Sequence, residues 1–165
     1  MIDLDDWLTI NEVDNGPFFA EPIFQRKYAQ SAPDFPHHVV AFLRREDGAF
    51  VAASYLHFTL HEGVVLVGGG ATDGRAFAQV PAAVGDAVRA SGGLLLRTLR
   101  FGFSKYADRC EAFFGHCGDP RAFEVDMQAG FQPTRVEHLL AYWHRLLPEE
   151  RREALIDRVA AIGPF

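Results

Sequence analysis

The sequence predicts a mixed α+β domain: a central, mostly antiparallel and twisted sheet flanked by helices, with a further helix at the C-terminal end. Three observations lead there. Residues 37–70 are rich in β-branched and aromatic side chains and are broken by two turn signals, as a meander of strands is. Phe77, Val80, Val84 and Val88 then recur at helical spacing. With 165 residues, 48% hydrophobic and 23% charged, the chain has enough material for a substantial core in one domain spanning residues 1–165.

The elements follow in order. Residues 7–13 (WLTINEV) have strand content and are closed by the turn-forming Asp14-Asn15-Gly16-Pro17. Residues 18–30 read as a helix, and Ser31-Ala-Pro-Asp-Phe-Pro36 ends it. HHVVAFLRR, AFVAASYLHFTLH and VVLVGGG form the meander, turning at Glu46-Asp47-Gly48 and at Glu62-Gly63. The helix after it runs to Ser91-Gly92-Gly93, with Pro81 as a kink or as part of a first turn. LLLRTLRFGF, residues 94–103, reads as a buried strand whose helical connection favours parallel pairing. PRAFEVDMQAGF alternates like a strand, yet Asp119-Pro120 starts a helix and Gly130 stops one, which decides for a helix. A last strand over residues 134–143 leads to a C-terminal helix from Pro148.

Composition excludes several classes. The net charge is −6, and the basic residues are scattered apart from Arg44-Arg45 and Arg151-Arg152, which argues against a nucleic-acid partner. MIDLDDWL is acidic and unlike a secretory signal. No apolar run approaches the ~20 residues needed to span a bilayer, so no membrane partner is expected. Two cysteines, Cys110 and Cys117, are too few for a disulfide framework and fit a reduced, cytoplasmic setting. Fifteen Phe against four Tyr and two Trp point to a core, and to a groove or homodimer contact, built from large apolar rings.

The stretch that decides function is VGGGATDGRA, residues 67–76. A dinucleotide fingerprint needs a third glycine where Asp73 stands, and a P-loop needs Lys and Ser or Thr where Arg75-Ala76 stand. Two readings stay open: a phosphate cradle, or a glycine-rich corner without a ligand. A metal site is not expected. Cys110, His116 and Cys117 lie close in sequence, but adjacent His116-Cys117 is poor geometry for zinc.

Taken with the meander into VVLVGGGATDGRA, the Ser91-Gly-Gly turn into Leu94, and DMQAGF, this order resembles the GNAT-type N-acetyltransferases over residues 37–143. The resemblance implies acetyl-CoA as co-substrate, held on the fourth strand and its following loop by Val67, Gly68, Gly69, Ala71, Thr72, Asp73, Gly74, Arg75 and Ala76. Glycines let backbone approach the phosphates, and the dipole of a following helix favours their charge. The family loop reads Gln or Arg, two residues, Gly, one residue, then Gly or Ala. Here Gly74 and Ala76 are kept, while Ala71 replaces the basic or amide residue and Asp73 brings a carboxylate. A second alignment, over residues 77–82 with Pro81 opening the helix, has no glycine and leaves an undersized helix.

The implied reaction is acetyl transfer to an unidentified amine, small molecule or peptide, by direct attack on the thioester. The family's acid, a Tyr four residues ahead of Gly-Phe, is Asp126 here, and residues 64–70 carry no Glu to act as base. His57, with His61 on the same strand face, and Glu62 are candidate bases, and Tyr106 is the candidate acid. The alternative is a catalytically inactive GNAT-like module for binding or interaction. Residues 102–118 depart most from the family and read as an aromatic-rich insertion, with Tyr106, Phe113 and Phe114 lining a pocket or covering a core.

Overall fold

In the computed structural model, which describes residues 2–165, the expected meander is β2 (His37–Arg44), β3 (Phe50–His61) and β4 (Val64–Thr72). Its second turn is the two-residue loop Glu62-Gly63, both at positive φ (45° and 82°), the geometry that matches the twist of a tight hairpin. β1 (Leu8–Val13) pairs antiparallel with β2, from Leu8↔Leu43 to Val13↔His38. β5 (Ala112–His116) lies parallel to β4, and β7 (Leu139–Tyr142) pairs antiparallel with β5 and with the two-residue β6 (Gln132–Pro133). The seven-stranded sheet runs in the order β1-β2-β3-β4-β5-β7-β6 and is mostly antiparallel, as expected.

Among the described residues five α-helices accompany it: α1 (Gly16–Tyr28), α2 (Ala82–Ala90), α3 (Gly93–Tyr106), α4 (Pro120–Ala129) and α5 (Glu149–Ala160). The predicted start and stop signals act as expected at α4 and α5, and the turn residue Asn15 also caps α1, which starts at Gly16. Asn15 accepts the Phe18 N–H at the start of α1, Asp119 accepts from Arg121 and Ala122 ahead of α4, and Gly130 closes α4 at φ 116°. Pro148 opens α5, with Glu149 and Glu150 in the first turn and Arg158 in the last, each sign favoured by the helix dipole.

The chain divides into two compact units. The first is Met1–Phe58 with Gly69–Gly102, and the second is Thr59–Gly68 with Phe103–Phe165. In the first, Ala20, Ile23 and Phe24 of α1 bury against Val40, Tyr55 and Ala71, while Val88 of α2 and Leu94 of α3 bury with Ala41, Leu43 and Ala53. Val40 and Ala41 are neighbours in β2 and so point to opposite faces. α1 therefore covers one face of this part of the sheet, and α2 with the start of α3 covers the other. In the second unit Leu155, Ile156 and Val159 of α5 bury against Val64, Leu66, Ala112, Phe114, Leu139 and Ala141. Phe113, between two of these, points the other way into a ring cluster with Phe103 and Tyr142.

Three elements differ from expectation. Residues 94–103 are helix, not strand. Leu99, Phe103 and Tyr106 are buried at i, i+4 and i+7, Arg100 is exposed, and the Thr98 hydroxyl donates to the Leu94 carbonyl at 2.8 Å, as a Thr inside a helix does. The parallel strand is instead Ala112–His116, inside the segment read as an insertion, so Phe113 and Phe114 are strand residues of a core. The helix expected over residues 77–88 is divided: Gly74–Gln79 is a 3-10 helix, Val80 is extended (φ −125°, ψ 161°), and Pro81 caps α2. A residue before proline is pushed out of the helical region, so no single helix runs through Val80. The strand expected over residues 134–143 is shorter, because Leu139–Tyr142 alone finds partners in β5.

Gly102 of α3 faces the Phe58 ring of β3 so closely that a Cβ would overlap it. Gly102→Ala is expected to lower stability by ~1–3 kcal/mol through overpacking, despite the better helix propensity of Ala. Urea unfolding measures this, and an unchanged or raised midpoint would contradict the packing.

Candidate functional site

Parallel pairing between β4 and β5 runs from Val64↔Ala112 to Val67↔Gly115, and β4 then continues through Gly68, Gly69 and Gly70 to Thr72. Gly69 sits at φ 65°, the left-handed region. A Cβ there would lie 2.6 Å from His57 Nδ1 and 3.4 Å from Phe24 Cζ. At Gly70 it would lie 3.2 Å from Leu56 and 3.4 Å from Leu95 of α3. Gly69 thus has a neighbour too close for a side chain, and Gly70 is tightly packed. Ala71, next along, is buried against α1.

His57 is 4% exposed, far from the solvated sheet face that its spacing from His61 also allowed. The β2–β3 register sets His57 directly across from His38, which is 1% exposed. His38 Nδ1 shares a 2.6 Å hydrogen bond with Tyr55 Oη, and its Nε2 lies 3.7 Å from the exposed Asp34. Phe35 stacks on the His57 ring at 3.8 Å between centroids. Burial, and then the charge of His38, hold His57 down at about 4, so its ring is neutral near pH 7. His57 Nδ1 has no hydrogen-bond partner among the described residues, and it faces Gly69. Sequence reasoning missed His38, although pairing the two strands across the Glu46-Asp47-Gly48 turn brings the two histidines together.

The loop after β4 is closed on itself. Asp73 is 8% exposed; its carboxylate accepts the Arg75 N–H at 3.0 Å and pairs with Arg26 of α1. The Asp73 N–H donates to Ala53 and the Ala76 N–H to the Asp73 carbonyl. The expected phosphate cradle around Gly74 meets a physical objection here: the N–H groups of Asp73, Arg75 and Ala76 are used by the protein's own oxygens, one of them a carboxylate. The segment opens a 3-10 helix of six residues, with little dipole behind it. Gly92 and Gly93, at φ 94° and 89°, instead introduce the 14-residue α3, and Leu95 in its first turn rests on Gly70.

Other expected site residues have structural surroundings. Glu62 is the exposed turn residue between β3 and β4; its carbonyl accepts from Arg158 of α5 at 2.7 Å. Tyr106 is 1% exposed at the end of α3, where its carbonyl accepts from the Cys110 thiol. Asp126 on α4 is half-buried, and burial raises its carboxyl to about 6, with the Cys117 thiol partly offsetting this through a hydrogen bond. Among the described residues no cluster of three His, Cys, Asp or Glu side chains is placed to hold a metal ion, and no helix is long and apolar enough to cross a membrane.

No protein-family model and no curated protein matches the sequence. Solved structures do. The catalytic domain of a Tetrahymena histone acetyltransferase, in complex with coenzyme A, aligns with TM-score 0.54 at 12% identity, over 90% of this chain and 98% of its own. The ribosomal-protein-S18-alanine N-acetyltransferase from Escherichia coli aligns with TM-score 0.53 at 14% identity, over 86% and 97%. N-acetylglutamate synthase from Neisseria gonorrhoeae, complexed with coenzyme A and L-arginine, aligns with TM-score 0.51 at 13% identity, over 84% of this chain and 34% of its own. At such identities the likeness is one of fold. The chain has the fold of the GNAT-type N-acetyltransferases.

A histidine held from its ordinary 6.5 down to about 4 stays unprotonated in the folded state while the unfolded chain takes up a proton. The stability this group contributes is complete above pH 6.5 and is lost as pH falls toward 4, by about 3 kcal/mol at most. Urea unfolding at pH 7 and pH 4.5 should show a clear loss in the wild type and a smaller one in His57→Asn. Equal losses would mean that His57 is not the buried neutral ring described.

Proposed function

We propose that the protein is an acyl-CoA-dependent N-acetyltransferase, moving the acetyl group of acetyl-CoA to an amine by direct attack on the thioester. Beyond the fold, the observation that carries this reading is the start of α3. Two left-handed glycines open a 14-residue helix beside Gly70 of β4. The first N–H groups of a helix have no partner within it and its dipole favours negative charge, so the corner suits a pyrophosphate. Its residues keep most of the family loop: Arg89, two residues, Gly92, one residue, and then Leu94 where the family has Gly or Ala. The pyrophosphate assignment therefore moves from Gly74 to Gly92-Gly93, with Gly69 and Gly70 as the adjoining part of β4. Two of the similar structures hold coenzyme A, which supports the same co-substrate here.

The chemistry needs an oxyanion donor, a base and an acid. A backbone N–H near Gly69 is the proposed donor. His57 is neutral, so it accepts a hydrogen bond from an incoming amine, but with a pKa of about 4 it is too weak a base to strip an ammonium. The acceptor must enter as the free amine. The kcat/KM is then expected to climb with pH toward the acceptor's own pKa, without an inflection between pH 5 and 7; an inflection there that persists in Asp126→Asn would reinstate a histidine base. Asp126 stands where the family has its Tyr and is mostly ionised at pH 7, which leaves the departing thiolate to solvent. That substitution also favours a second reading, a GNAT-like binding module that holds coenzyme A without turnover.

Calorimetric titration with acetyl-CoA, and with CoA as control, tests the assignment. Micromolar binding is expected, weakened at least tenfold in Gly93→Val and unchanged in Gly74→Val, where a Cβ meets open space. The strain of Val at positive φ, ~1–2 kcal/mol, leaves a folded protein, which circular dichroism can verify. Loss in Gly74→Val alone would return the phosphates to the loop after β4. No wild-type binding up to millimolar concentrations would end the acyltransferase reading.

A further inference from the structure

The geometry points to a binding site for the acceptor's charged group: a cleft between α1 and the end of β4 that takes a carboxylate or a phosphate, making the acceptor an amine with an anionic head. The amine half of this statement rests on the acyltransfer reading; the anion half does not.

The cleft has a volume of about 490 Å³ and is lined by Arg26, Lys27, Thr72, Asp73, Gly74 and Arg75, with Ile23 at its floor. It gathers three cations against one carboxylate in a chain whose net charge is −6. The one carboxylate is already committed, to Arg26 and to the Arg75 N–H. Among the described residues Lys27 reaches only the Gly70 carbonyl, at 3.5 Å, and the Tyr28 ring, at 5.4 Å. The Arg75 guanidinium has no ion-pair partner among the described residues. Two exposed cations therefore stand over a neutralised floor, an arrangement that holds an anion by charge and by forked hydrogen bonds. The volume exceeds what a lone anion needs and suits a whole small molecule.

The α1 wall of this cleft lies apart from the proposed diphosphate corner, while its other wall, Gly74-Arg75, leads into Ala76, which packs with Val88 and Leu94. Arg26 and Lys27 belong to α1, which covers the sheet face opposite the one covered by α2 and the start of α3. Lys27 and Tyr28 both reach the carbonyl of Gly70, the neighbour of Gly69. An anionic head in the cleft thus anchors its amine from the α1 face, beside the stretch of β4 where the thioester is proposed to react.

Calorimetry at low ionic strength, where exposed charges are least screened, tests the site with O-phosphoethanolamine, β-alanine and ethanolamine as probes. At least one anionic amine is expected to bind, with ethanolamine at least tenfold weaker. The double variant Lys27→Glu/Arg75→Glu, changed only at exposed side chains, should weaken the anionic amine at least tenfold while melting as the wild type does. Equal binding of ethanolamine, no binding of either anionic amine, or an unaffected double variant would each overturn the site. Lys27→Glu should keep wild-type affinity for acetyl-CoA; a tenfold loss would give the cleft to the coenzyme's own phosphates and overturn the acceptor assignment. These titrations need no coenzyme in the cell. A protein that binds the anionic amine but not acetyl-CoA keeps the cleft and loses the acyltransfer reading, and the opposite result loses only the cleft.

Discussion

Gly69 admits no side chain, and much of the candidate site follows from that one exclusion. His57 Nδ1 and Phe24 occupy the space that a Cβ would take, and φ at Gly69 is left-handed. With any other residue there, the His57 ring would have to leave its place under Phe35, or β4 would have to straighten. His57 in turn stands across from His38, and His38 is tied to Tyr55. Burial of this aromatic and imidazole cluster keeps both rings largely uncharged. One glycine thus links strand geometry to the protonation state of the nearest titratable group.

Charge divides the two glycine corners more sharply than their sequences do. At Asp73 a carboxylate turns inward, accepts a backbone N–H and pairs with Arg26, so the turn satisfies itself. At Gly92-Gly93 both glycines take left-handed angles and a helix of 14 residues follows, with its dipole aimed at the corner. A loop whose N–H groups already have oxygens gains little from a phosphate, whereas a helix start gains an ionic partner for groups that otherwise face water.

The meander was legible because its signals are local. Turn residues stand at Glu46-Asp47-Gly48 and Glu62-Gly63, and β-branched and aromatic residues fill the strands between them. α4 was legible for the same reason, with Asp119-Pro120 and Gly130 at its ends. The run from Leu94 to Phe103 was not. Its leucines satisfy a strand's alternation over the first few residues and a helix's spacing over the whole, and only length and partners separate the two. Reading it as strand displaced the parallel partner of β4 from Ala112–His116.

By itself the sequence determined the class of fold, the order of most elements and the residue types at the glycine corners, because turn chemistry and periodicity are written in neighbouring residues. It also carried the doubts over Ala71, Asp73 and Asp126. Only the tertiary structure decided that the N–H groups of Asp73, Arg75 and Ala76 are already bonded, that His57 is a buried neutral ring, and that Arg26, Lys27 and Arg75 share one cleft. Each of these depends on contacts between residues far apart in the chain: Arg26 with Asp73, His38 with His57, Leu95 with Gly70. Packing sets burial, burial sets charge, and neither can be read from a residue's own neighbours along the chain.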